Sequence, residues 1–524
     1  MNKFFAPIVF ALVAFPAKAQ TASEEAPRLV VGITIDQLRS DYLARMSHIF
    51  GEKGFNRLAN EGTVYEQVSF GYVGADRSSS TATIYTGAYP SWHGIISDNR
   101  FIRGERLVKP VLYDSEQLGN FTASTLSPEA IAVSTVPDEL KSATLGKARV
   151  YSVAPEADMA IIAAGHAANA AFWLDDSTGK WATTTYYRDI PQYINDLNIK
   201  DGVDTRIDTM VWTPLYEAKK YTGIPYDTPE FLFGYRFSGA DKYYNFKHSP
   251  LVNTEVTKVA KKFIENGFLG KDTFPDYLCV GYYGGNYQGH SVQDYGAELQ
   301  DTYIRLDAEI ASLLESIDKN VGLQNTLIYI VSTGYTEVEG RPHGLYGIPT
   351  GEFYPRRATA LLNYYLMALY SHEQWVLGYN AGEIFLDKEL IEKNGHDFDE
   401  FMLKSAEFLS QMQGVQDVMT ARQIMHGDLS CVAPVRRKYS RKLSGDLVLT
   451  IQPGWEINYE DNITPNKYVH YNAVPATLIF FGKNITPQHV SREINVTQIA
   501  PTLSGALRIR APSASASLAL PEIK

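Results

Sequence analysis

Leu29-Val-Val-Gly-Ile-Thr-Ile-Asp36 is the stretch from which the fold can be read. Leu29 to Ile35 form a continuous run of strand length. A run of this kind, rather than an alternation, is what a parallel strand covered on both faces requires. It ends on an acid, and Leu38, Tyr42, Met46 and Ile49 follow at helical spacing. Doubly wound folds bind ligands at that place, the carboxyl end of a buried strand entering a helix. Asp36 is therefore a candidate ligand residue, with a helix N-cap as the simpler alternative.

The same grammar repeats outward from this strand. Gly62–Phe70 alternates as a second strand and Ala148–Ala154 forms a third. Asp276–Tyr283, Thr326–Ser332, Asp446–Gln452 and Thr477–Phe481 continue the series. Helical periodicity marks Thr254–Gly267, with Gly267 suited to its C-terminal cap. A longer helix carries Leu299, Tyr303, Leu306, Ile310, Leu313 and Ile317, with Asp301, Arg305 and Glu309 as charge pairs on its outer face. Small residues across 163–173 suit close backbone approach, and Ile499–Leu507 closes the chain as a helix. Strands alternating with helices predict an α/β fold: a mainly parallel central sheet with helices on both faces. Two stretches without clean periodicity, about 175–250 and 340–440, predict cap insertions within one domain spanning 20–524.

Residues 1–19 have the layout of a secretory signal. Lys3 is the positive start, Phe4 to Phe15 the apolar run, and Ala17-Lys18-Ala19 the cleavage site. The run is too short to span a bilayer, and a buried N-terminal helix is the alternative. Export to the periplasm or another extracytoplasmic compartment of a bacterium follows, with no transmembrane segment after signal removal. The 524 residues include 48 Lys and Arg against 59 Asp and Glu, a net charge of −11. That balance argues against nucleic acid as a partner. Cys279 and Cys431 are the only cysteines, so disulfides do not hold the fold. Cys279 lies in a strand pattern and is expected to be a buried, inert thiol.

Function turns on Arg77-Ser-Ser-Ser-Thr-Ala-Thr-Ile-Tyr-Thr-Gly87, continuing to Asp98-Asn99. It lies between a strand and a helix, where α/β folds place their chemistry. Together with Val31–Tyr42, His93-Gly94, Ala164–Trp173, Gln300–Asp307, Pro453-Gly-Trp455 and Ile499–Leu503, it resembles the alkaline phosphatase superfamily. Within it, the chain is similar to the type I phosphodiesterase/nucleotide pyrophosphatase family, and most so to the bacterial phosphate-irrepressible alkaline phosphatases. The resemblance spans essentially all of the chain after the signal.

That resemblance implies two zinc ions at the carboxyl edge of the sheet, held by Asp and His. It further implies a Thr or Ser alkoxide attacking phosphorus, with an Asn and a Lys-x-Arg pair holding the phosphoryl oxygens. Carried onto this sequence, the first acid is Asp36. Counted back from Ile84-Tyr-Thr-Gly87, the nucleophile position holds Arg77, which cannot attack phosphorus and would repel zinc. The Asn position holds Asp98, with Asn99 one step away. The Lys-x-Arg positions hold Glu156 and Asp158. Among the metal positions His290 is kept, while Asn286, Gly334, Tyr335 and Ala473 stand where ligands are expected. One zinc position thus keeps a single His and the other a single Asp, fewer ligands than zinc needs.

Three functional readings follow. The leading one is a pseudoenzyme with no catalytic residue and no cofactor, kept for binding, scaffolding or regulation by an unknown protein or envelope partner. In it, Arg77 pairs with Asp36 and so replaces the missing metal charge. The second is an active zinc-dependent phosphomonoesterase or phosphodiesterase using Ser78, Ser79 or Ser80 with Asp36, His290 and His343. The third keeps the cleft but inverts its ligand: Asp98, Glu156 and Asp158 would take a cationic ligand or calcium.

Overall fold

The computed structural model describes residues 25–188, 190–221, 233–285, 287, 296–336, 347, 349–460, 466–469, 474 and 476–523. Leu29–Asp36 is fully buried and sits at the middle of an 11-stranded sheet. Parallel to it on one side runs Thr326–Ser332, and on the other Asp276–Tyr283, then Val150–Ala154, then Ala170–Leu174. The flanks are antiparallel: Ala476–Gly482 pairs with Thr326–Ser332, and Trp181–Thr184 with Ala170–Leu174. Thr63–Ser69 lies beyond Ala476–Gly482.

Both faces of the central strand are covered, as its unbroken run predicts. Leu29, Val31, Ile33 and Ile35 pack with Val256, Val259, Leu306 and Ile310 of helices Leu251–Asn266 and Ala297–Asn320. Val30 faces the opposite core with Tyr277, Tyr329, Ile84 and Leu503. Gly32 belongs to that second face because of the Tyr329 ring: a Cβ there would lie 2.4 Å from its hydroxyl. The ring is thereby free to reach Tyr277, hydroxyl to hydroxyl at 2.9 Å. Cys279 is buried in the same face, and burial pushes its thiol well above the usual range.

Three expectations need correcting. First, Arg77–Thr86 is itself a helix rather than a link between elements. Asp76 caps it, accepting from Ser79 N at 2.9 Å while Ser79 Oγ accepts from Asp76 N. Its hydroxyls turn back onto the preceding turn: Thr81 donates to the Arg77 carbonyl, Thr83 to that of Ser79 and Thr86 to that of Ala82. Ser and Thr satisfied in this way can be buried, but they leave no apolar period to read.

Second, Asp301 is not on an outer face. It is wholly buried and accepts from Trp212 Nε1, Leu215 N, Tyr221 Oη and Arg305 Nε at 2.6–2.7 Å. The helical pair with Arg305 exists, but it pins the 211–221 segment to the long helix. Third, the helix expected from Thr254 starts at Leu251, while Gly267 caps its C-terminus as expected, its N–H donating to the Phe263 carbonyl.

The segment after Ala170–Leu174 supplies the strand Trp181–Thr184, which lies between Ala170–Leu174 and Gly119–Asn120, before its short helices begin. The 353–457 region has a core of its own around Leu362, Trp375, Phe401 and Leu447. There a four-stranded antiparallel sheet, in the order 376–380, 383–386, 447–451 and 415–420, packs against helices Pro355–Leu369 and Phe398–Ser410. Arg103 ties it to the main body by bonding Asp446 at 3.0 and 3.2 Å and lying over the Phe385 ring.

A candidate active site closed by ion pairs

Asp36 ends the central strand at the carboxyl edge of the sheet and is buried. Its Oδ1 accepts from the Thr333 hydroxyl at 3.1 Å and the Tyr335 hydroxyl at 2.9 Å. Thr333 and Tyr335 follow the neighbouring parallel strand, so adjacent strand ends supply both the acid and its donors. Gly334 between them has φ +71°, and the Phe70 ring lies 2.2 Å from where a Cβ would stand. An acid at 334 would need both a new backbone conformation and a displaced Phe70.

Arg77 is the first residue of its helix, and its guanidinium enters the cleft with the side chain 21% exposed. Nε donates to both carboxylate oxygens of Asp158, at 2.9 and 3.0 Å. Nη1 lies 3.9 Å from Asp36 Oδ2. The sequence places Arg77 beside Asp36, and it is there, but its hydrogen bonds go to Asp158. Burial opposes the guanidinium charge, yet Asp158, Glu156, Asp98 and Asp36 together hold it above its ordinary value. Ser78 donates from Oγ to Asp158 at 2.7 Å and from its backbone N to Asp98 Oδ1 at 3.0 Å. Burial, then Asp76, raise the Asp98 carboxyl to about 7, with Arg77 pulling it down.

On the other wall, Glu156 stands just before the helix Ala157–Ala164. Lys247, whose side chain is only 3% exposed, donates to Glu156 Oε2 at 2.8 Å and is paired with Asp176 at 2.7 Å. Burial pushes Glu156 up, but Lys247, then Arg77 and His248, outweigh it and bring its pKa to about 2. His248 is buried with Nδ1 on the Tyr244 carbonyl at 2.8 Å, and burial lowers its pKa. Asp36, Arg77, Glu156, Lys247, His248 and Tyr283 enclose about 10 Å³, room for one water at most.

The structure thus brings together Asp36, Arg77, Ser78, Asp98, Glu156, Asp158 and Tyr335. Ser79 and Ser80 are fully buried in the helix, Ser79 within the cap and bonded by Tyr72. The Ser80 hydroxyl has no hydrogen-bond partner among the described residues. Asn99 is exposed at the start of strand Asn99–Ile102, outside the cleft. Asn286, His290, His343 and Ala473 lie outside the described residues. Sequence reasoning missed Lys247, His248 and Asp176. They come from a stretch with no motif, and only a buried lysine's need for a counter-charge could have pointed to them.

The described surroundings of Asp36 do not offer the donor set of a zinc site. No group of three His, Cys, Asp or Glu side chains is placed to hold a metal among the described residues. The retained acid is instead flanked by a guanidinium and two hydroxyl donors.

A sequence profile of the type I phosphodiesterase/nucleotide pyrophosphatase family matches residues 30–474. The chain belongs to that family. It is 31% identical, over 97% of both chains, to a Myroides odoratus protein named as a calcium-transporting ATPase. It is 27% identical to the alkaline phosphatase PafA of Elizabethkingia meningoseptica, over 95% of this chain and 94% of that one. The crystal structure of PafA superposes with a TM-score of 0.83 at 26% identity, covering 96% of this chain and 99% of the other. Murine ectonucleotide pyrophosphatase/phosphodiesterase 5 shares the fold, with a TM-score of 0.54. The α/β architecture with its mainly parallel centre is therefore the alkaline phosphatase fold. No helix among the described residues is long and apolar enough to cross a membrane.

Proposed function

We propose that this chain is a catalytically degenerate, extracytoplasmic member of the family that binds, scaffolds or regulates rather than transfers phosphoryl groups. One observation carries the reading: Arg77, at the register of the nucleophile, is hydrogen-bonded to Asp158, at the register of a phosphate-holding cation. The two departures compensate each other, forming a neutral unit inside the cleft. Phosphoryl transfer needs donors and cations aimed at oxygens that gain negative charge. Here Glu156 and Asp158 engage the cations Lys247 and Arg77, so neither cation is available to a phosphoryl oxygen.

The same bonding weakens the third reading. A cationic ligand or calcium would have to displace Lys247 from Glu156 and Arg77 from Asp158. The active-enzyme reading draws on the names of the alkaline phosphatase relatives, and it requires one of three fully buried serines to act as nucleophile. Hydrolysis of an aryl phosphate and of an aryl phosphodiester, with and without added zinc, separates these readings. The proposal expects no zinc-dependent turnover. Turnover that needs zinc and disappears in Asp36→Ala would overturn it.

A further inference from the structure

The chain is acidic overall, yet Val435-Arg-Arg-Lys-Tyr-Ser-Arg-Lys442 gathers five cations within eight residues. The whole 421–442 segment carries one acid, Asp428. Three of the five, Arg436, Arg437 and Lys438, lie on helix Val432–Lys438, which packs on helices Pro90–His93 and Ala421–His426. Arg436 donates to the carbonyl of Ile424, Arg437 to that of Gly71 and Lys438 to that of Gly74. Carbonyl acceptors orient these side chains without neutralising them. Arg441 and Lys442 are exposed. None of the five makes an ion pair with a carboxylate among the described residues. In a chain with an excess of acids, such a cluster is the unusual case.

Apolar side chains surround the same helix. Trp92, on the adjacent helix, is 69% exposed, and Leu429, in the turn leading into Val432–Lys438, is 71% exposed. Val73, between the two glycines that receive Arg437 and Lys438, and Met425 are exposed as well. Cations set among an exposed Trp and aliphatic side chains have the make-up of a membrane-surface contact. The aliphatic groups enter the acyl boundary, the indole sits at headgroup depth and the cations meet anionic headgroups.

We propose that the surface around Val432–Lys438 docks this protein on an anionic phospholipid bilayer. A soluble polyanion would match the charge but offer Leu429, Met425 and Val73 nothing to bury against. Asp397, Asp399 and Glu400 line the groove on the far side of Ala421–His426, where Asp399 pairs with Arg422, so docking rests on the Val432–Lys442 side, and more distant acids are screened beyond about 10 Å at ~0.1 M salt. Through Arg437 and Lys438 the surface contacts the 71–74 loop, a few residues before Arg77. The proposal does not depend on whether the cleft is catalytic.

The test is flotation of the purified protein with phosphatidylcholine vesicles, with and without phosphatidylglycerol. Binding is expected only with phosphatidylglycerol, weakened by ~0.5 M salt and accompanied by a blue shift of emission that Trp92→Phe removes. Arg441→Gln/Lys442→Gln, at exposed positions, should weaken binding by about 25-fold at roughly fivefold per cation, with an unchanged melting temperature. Leu429→Ala/Trp92→Ala should weaken it further without altering its salt dependence. Equal binding to both vesicles, or none, overturns the proposal. So does salt-sensitive binding to phosphatidylglycerol and heparin alike with unchanged Trp92 emission, which would mark a polyanion surface.

Discussion

Replacing Lys247 by Met should destabilise the protein by an amount that depends on pH in a specific direction. Lys247 is buried against Glu156 and Asp176. Removing one partner of a buried pair costs about 3–5 kcal/mol, chiefly because the other charge is stranded. Asp176 is 53% exposed, so most of the effect falls on Glu156, which is 21% exposed. The Glu156 carboxyl gives a second route to the magnitude. It falls from 4.5 to about 2 in the folded protein, which at 1.36 kcal/mol per pKa unit is about 3 kcal/mol. The routes agree in order of magnitude. Because the folded value is depressed, this stability is present above pH 4.5 and is lost as pH falls toward 2. Without Lys247 the carboxyl rises, and protonation relieves the stranded charge. Urea unfolding of wild type and Lys247→Met at pH 7.5 and pH 4 is the assay. A gap of about 3 kcal/mol at pH 7.5, narrowing at pH 4 and shrinking when Glu156→Gln is added, is expected. A gap independent of pH, or undiminished by Glu156→Gln, would show that Glu156 is not the charge stranded by the loss of Lys247.

Other consequences follow from the same geometry. Asp98, raised from 3.8 to about 7, makes folding take up a proton between those values, so its penalty grows as pH rises through them. Asp98→Asn keeps an acceptor for Ser78 N and should raise the melting temperature at pH 8 but not at pH 4. Asp301→Asn replaces a carboxylate that satisfies four donors, and should cost about 3 kcal/mol with new proteolytic cutting in the 211–221 segment. His166 bonds Asp138 through Nδ1 at 2.9 Å and the Ile131 carbonyl through Nε2 at 3.0 Å, and Asp138 raises its pKa. Its contribution is present below pH 6.5 and lost as pH rises through the raised folded value. His166→Gln should therefore destabilise more at pH 5.5 than at pH 9, measured by thermal melts.

The parts of the molecule that were legible are those where burial and periodicity coincide. Leu29–Asp36, Asp276–Tyr283 and Thr326–Ser332 announce themselves because parallel strands covered on both faces have no polar face to interrupt them. Helix Arg77–Thr86 is nearly as buried, but it is built of Ser and Thr, whose threonine hydroxyls bond back to the preceding turn, so it shows no apolar period. Counting back from Ile84-Tyr-Thr-Gly87 expects Arg77 in the cleft beside Asp36, and its guanidinium lies there. Its hydrogen-bonding partner could not be counted out in this way: both Asp36 and Asp158 were in the cleft, and side-chain geometry chose Asp158. Lys247 enters the site from ninety residues away along the chain, in a stretch without period or motif. Asp301 misled for the opposite reason, since its helical spacing to Arg305 was right and its surroundings were supplied by the 211–221 segment.

The Arg77–Asp158 and Lys247–Glu156 ion pairs fill the cleft in which the proposed function has zinc chemistry lost. Equilibrium dialysis of the purified protein against zinc, with metal analysis and aryl phosphate turnover on the same sample, tests that loss most directly. Well under one equivalent of bound zinc and no turnover above buffer are expected. One or two equivalents of zinc, with turnover abolished by Asp36→Ala, would contradict it.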